Sequence, residues 1–66
     1  MKDYREIDKK LVWESLIAGK KVIAVVFESQ YFTSTAHNIM KWNVDEINKL
    51  LSDEEVIYFE KVGVNE

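Results

Sequence analysis

A chain of 66 residues with no cysteine and one histidine makes a single domain, 1–66, that has neither disulfides nor a thiolate metal site to steady it. The net charge of −3 argues against the basic stripe of a duplex-binding domain. The longest apolar run, Val22 to Phe27, falls far short of the ~20 residues that span a bilayer.

The first residues, Met1-Lys2-Asp3-Tyr4-Arg5-Glu6, are charged and lack the apolar stretch of a secretory signal, so a cytoplasmic location is expected. Tyr4 to Ile7 is a short strand-like segment. Asp8 then stands as an N-cap before Lys9-Lys10-Leu11-Val12-Trp13. Gly19 is placed as the C′ residue, with Lys20 and Lys21 beside the negative helix end. A helix is expected over about 9–18.

Lys21 to Phe27 is rich in Val and Ile and follows a glycine, which reads as a strand. Glu28-Ser29-Gln30 turns the chain, and a second strand within 31–41 pairs back as a hairpin. Asn43 lies three residues before Glu46, the spacing of a capping box. Val44, Ile47, Leu50 and Leu51 then fall on one helical face, with the helix ending near Ser52-Asp53. Trp42, just before the cap, is placed to staple onto Ile47. Val56 to Val62 forms the last strand, and Gly63 to Glu66 is expected to fray.

The fold class is therefore α+β: a small (β)αββαβ two-layer sandwich with two helices on one face of an antiparallel-rich sheet. If Tyr4–Ile7 pairs, the arrangement is a miniature ferredoxin-like one. Two strands are apolar on both faces, Val22-Ile23-Ala24-Val25-Val26-Phe27 and Val56-Ile57-Tyr58-Phe59. On the first helix Val12, Trp13, Leu16 and Ile17 form a stripe, with Leu11 outside it. Large exposed apolar patches on soluble chains mark interfaces, and small folds without staples lean on oligomerisation. A homo-oligomer, most simply a dimer, or a protein partner is expected to bury the second face. Leu11, Trp13, Ile17, Tyr31, Phe32 and Tyr58 are the candidate interface residues. The plainer alternative folds Tyr31, Phe32 or the N-terminal segment over that face.

No residue earns a catalytic, cofactor-binding or metal role, and the expectation is a non-enzyme. His37 follows Thr33-Ser34-Thr35-Ala36, but a histidine beside hydroxyls in a polar loop is usually only solvated. Catalytic carboxylate pairs flank a cleft rather than run consecutively as Asp53-Glu54-Glu55 do. Two glycines cannot build a phosphate-cradling loop. The aromatic residues suit packing better than base stacking, since no basic groove accompanies them. Charge is uneven: six basic and four acidic residues precede Val22, three basic and eight acidic follow. Asp45, Glu46, Asp53, Glu54 and Glu55 form a candidate acidic surface for a basic partner.

The layout Tyr4-x-x-Ile7, a helix ending Gly19-Lys20-Lys21-Val22, then Lys41-Trp42-Asn43-Val44 and Val56-Ile57-Tyr58-Phe59-Glu60, resembles small bacteriophage and prophage proteins with no assigned activity. That resemblance implies a mobile-element accessory acting in the host cytosol. The expected function is an interaction protein that oligomerises and binds or inhibits a host macromolecule. Two alternatives stand beside it: small-molecule or nucleotide binding at a subunit interface, using copies of His37, Lys41 or Tyr31, and an acidic nucleic-acid mimic that blocks a nucleic-acid-binding protein.

Overall fold

The computed structural model describes residues 3–28, 33–53 and 55–62. Its elements run β1 (Tyr4–Ile7), a 3₁₀ turn (Lys9–Leu11), α1 (Val12–Ile17), β2 (Val22–Glu28), β3 (Thr33–Asn38), α2 (Val44–Leu51) and β4 (Val56–Lys61). Tyr31, Phe32 and Glu54 lie outside the described residues, as does the expected frayed tail.

The helix expected over 9–18 is two pieces. The Asp8 carboxylate accepts from the Lys10 N–H at 2.9 Å, but the turn it caps is tight, with the Leu11 N–H donating to the Asp8 carbonyl at 2.8 Å. A true α-helix begins only at Val12 and is six residues long. It ends in a Schellman motif: the Gly19 N–H bonds the Leu16 carbonyl and the Lys20 N–H bonds the Ser15 carbonyl, both at 3.0 Å. That geometry needs the left-handed backbone of Gly19, at φ +80°. The second helix has the full capping box: the Glu46 N–H donates to Asn43 Oδ1 at 2.8 Å, and the Asn43 N–H donates to Glu46 Oε1 at 3.2 Å.

All four strands join one antiparallel sheet in the order β1-β4-β2-β3. The fold is therefore the small α+β sandwich expected, and Tyr4–Ile7 is part of its sheet. It has the βαββαβ order of elements and two split βαβ units, but the expected ferredoxin-like arrangement is not the one found: that sheet places β1 and β3 in the centre, whereas here β4 lies between β1 and β2, and β2 between β3 and β4.

Register decides which side chains meet the helices. Ile7 stands opposite Tyr58, and Ala24 is opposite Tyr58 on the other side. These residues form the core with Val12, Val22 and Ile39, and Leu16, Trp42, Leu50, Leu51 and Val56 pack against it. Both helices contribute, so both cover the same face. Trp13 joins them, its indole N–H donating to Asn48 Oδ1 at 3.3 Å. No helix among the described residues is long and apolar enough to cross a membrane.

Candidate functional site

Strand alternation sends Val22, Ala24, Tyr58 and Glu60 toward the helices and the residues between them to the opposite face. On that opposite face Ile23 is paired with Phe59, and Val25 with Ile57 on one side and Ala36 on the other. Phe27 follows, opposite Ser34. The result is a continuous block of Ile23, Val25, Phe27, Ile57 and Phe59 across the two central strands. Phe27 is 43% exposed, whereas Ile23 is 9% exposed between its cross-strand neighbours; Val25, Ile57 and Phe59 are half-buried. Among the described residues no element covers this face. One end of it is basic: the Lys61 and Lys21 ammonium groups lie 5.6 Å and 6.0 Å from the Tyr4 ring centroid.

The helix-covered side holds the one buried charge cluster among the described residues. Glu60 is 2% exposed because it points inward from a central strand, directly opposite Arg5 on β1. The Ser15 hydroxyl donates to Glu60 Oε1 at 2.6 Å, and Arg5 Nε donates to Oε2 at 2.6 Å. Arg5 Nη2 lies 2.5 Å from the same oxygen, and Lys20 Nζ 3.7 Å from Oε1. The Ser15 hydrogen bond, with the Arg5 hydrogen bond and the charges of Arg5 and Lys20, holds the carboxyl below its ordinary value against the opposing effect of burial. An open cleft of about 210 Å³ lies here, lined in part by Leu11, Glu14 and Lys20. Two carboxylates and two cations balance along it, so the cleft favours neither anions nor cations. A carboxylate held ionised is also a weak base, and Ser15 spends its proton on it. The cluster pins α1 and β1 to β4.

The residues singled out from sequence are scattered. Tyr58, expected at an interface, is instead a core residue at 1% exposure, its hydroxyl donating to the Leu50 carbonyl at 3.1 Å. Burial first, and the Asp53 charge second, push its phenol upward. Trp13 is half-buried between the helices rather than free. Leu11 and Ile17 are exposed, at 45% and 83%, but the 3₁₀ turn and α1 that carry them lie on the far side of the sheet from the open apolar block, so they do not extend it. His37, expected in a loop, is a half-buried residue of β3 whose ring lies 5.6 Å from that of Trp42.

Asp45 and Glu46 sit in the first turn of α2, while Asp53 and Glu55 follow its end, about 12 Å away along an eight-residue helix. Glu46 is occupied by the capping box, and Asp53 accepts from the Glu55 N–H at 2.9 Å. The described geometry of Glu46 and Asp53 is that of a local cap and a local turn. Among the described residues no three histidine or carboxylate side chains gather as a metal site would require.

Sequence reading missed Glu60, which it placed only within the last strand. The available signal was a lone carboxylate at the same parity as Tyr58, two residues on. No protein-family model, curated protein or solved structure matches the chain.

Proposed function

We propose that this chain is a non-enzymatic interaction protein that binds another protein with the open face of its sheet. The observation that carries this reading is the block of Ile23, Val25, Phe27, Ile57 and Phe59 on a face without cover among the described residues. Apolar area left in water costs about 25 cal/mol per Å² relative to burial, and contiguous apolar patches on soluble chains mark contact sites. In the mobile-element setting that the layout implies, the partner is a host protein whose activity the contact blocks. The basic end formed by Lys21 and Lys61 sits at the rim of the block, where charge sets orientation and encounter rate more than affinity.

The test places a photo-crosslinking side chain at Val25 in one variant and at Lys49, on the outside of α2, in another, each expressed in the cell that naturally makes the protein. A discrete adduct is expected from position 25 and none from 49. The adduct should vanish when Phe27→Glu is added while the circular dichroism spectrum is unchanged. Equal labelling from both positions, or no adduct at 25, overturns the reading.

A further inference from the structure

The two edges of the sheet are built differently. The β1 edge is four residues long and carries Arg5 and Glu6, the short, charged form that discourages strand addition. The β3 edge, Thr33-Ser34-Thr35-Ala36-His37-Asn38, is six residues long, without charge or proline, and exposed at every position but His37. Among the described residues it has none of the usual protection.

Its free hydrogen-bonding groups can be placed. The Ile39 N–H bonds the Val22 carbonyl at 3.2 Å, and Ile23 stands opposite Asn38. Antiparallel pairs alternate between bonded and non-bonded, so His37 and Thr35 turn their peptide groups toward β2, while Asn38, Ala36 and Ser34 turn theirs outward. No hydrogen bond from a described residue reaches those outward backbone groups. The outward set is symmetric about Ala36.

The geometry points to a second copy of this chain as the occupant of that edge, with β3 adding antiparallel to β3 about a two-fold axis at Ala36. Ala36 then faces its own counterpart, where a methyl group allows close approach. Ser34 faces Asn38 of the other copy in both directions. Asn38 Oδ1 already accepts from the Met40 N–H at 3.1 Å, which leaves its amide NH₂ to donate to the serine hydroxyl. On the helix side Thr35 faces His37. Every cross-strand pair is uncharged and able to hydrogen-bond or pack small against small.

The two-fold axis stands perpendicular to the sheet. Both helix layers therefore fall on one side of an eight-stranded sheet and both apolar blocks on the other. A single open face, about 15 Å between outer strands and about 20 Å along them, has a flat footprint of roughly 300 Å², small against the ~800 Å² per partner of a standard interface. Pairing at β3 doubles it. This inference rests on the edge and stands whether or not the open face binds a host protein.

The experiment is light scattering of the full chain over a range of concentrations, with hydrogen exchange on the same samples. A dimer is expected, with the Ser34, Ala36 and Asn38 amides protected. Ala36→Pro removes a donor that makes no bond to any described residue, so the fold should persist while the dimer dissociation constant rises about tenfold or more. A chain that stays monomeric at high concentration overturns the proposal. So does a dimer in which the Ala36 amide exchanges like an unpaired one, a measurement that needs no variant. A dimer that survives Ala36→Pro but falls apart with Val25→Asp would put the copies face to face and overturn it too. Loss of crosslinking from position 25 with the dimer intact would defeat only the proposed function.

Discussion

The Ser15 hydroxyl reaches Oε1 of Glu60 across 2.6 Å and 45 residues of chain, and the Arg5 guanidinium takes the other oxygen from 55 residues away. One buried carboxylate thus holds the first helix and the first strand to the last. Arg5→Ala removes a charge-assisted partner worth about 2 kcal/mol, and urea unfolding should show a loss of that size. Arg5→Lys should restore only part of it, since both Nε and Nη2 converge on Oε2. A loss within 0.5 kcal/mol of zero, the ordinary scatter of surface substitutions, would mean that solvent replaces the guanidinium.

The Glu60 carboxyl titrates lower in the folded chain than its ordinary value, so the folded state binds fewer protons than the unfolded one as pH falls. Its contribution to stability is complete above the unfolded carboxyl range, near 4.3, and is lost as pH drops through the lower folded value. Tyr58 acts in the opposite direction. Its phenol is raised, so its contribution is complete below about pH 10 and fades as pH climbs through the higher folded value. Thermal melts from pH 3 to 11 should show both limbs. Glu60→Gln should flatten the acid limb alone, and Tyr58→Phe the alkaline limb alone.

The ends of the two helices offer a cleaner pair of tests. Asn43→Ala removes the side-chain acceptor of the capping box and should cost about 1 kcal/mol. Gly19→Ala meets nothing within 4 Å of the added carbon. Any loss there, expected at about 1 kcal/mol, reports the left-handed backbone alone. Denaturant midpoints measure both, and a Gly19→Ala variant as stable as the parent would refute that strain.

Ile39 follows β3, is completely buried and belongs to the core. Ile39→Ala should cost about 3 kcal/mol, transfer and cavity effects together. Stabilities of about 0.05–0.15 kcal/mol per residue leave a domain this small little reserve, so a large unfolded fraction at 37 °C is expected. Circular dichroism at that temperature decides it.

The second helix was legible from sequence because its cap, its period and its staple position all lie within ten residues. The first was harder: Asp8 and Gly19 bracket it correctly, but nothing local distinguishes a tight first turn from an α-helical one. The strands were readable as strands and not as faces. Val22–Phe27 and Val56–Phe59 are apolar throughout, so alternation could not say which parity meets the helices. The pairing of β1 with β4 sets that parity, and with it the burial of Tyr58 and Glu60. The open face is legible as a surplus of apolar surface on the strands, while its members, none of them a helix candidate, come only from the register.

The placement of β4 inside the sheet has a consequence for how the chain is made. Until Val56–Lys61 is available, β1 and β2 have no neighbour in common, and Arg5 and Ser15 have no carboxylate to meet. A nascent chain emerging from the ribosome can pair β2 with β3, but it can neither complete the sheet nor hold the six-residue α1 without it. Folding of this domain must therefore wait for nearly its whole length and then proceed in one late step, governed by contacts between distant segments.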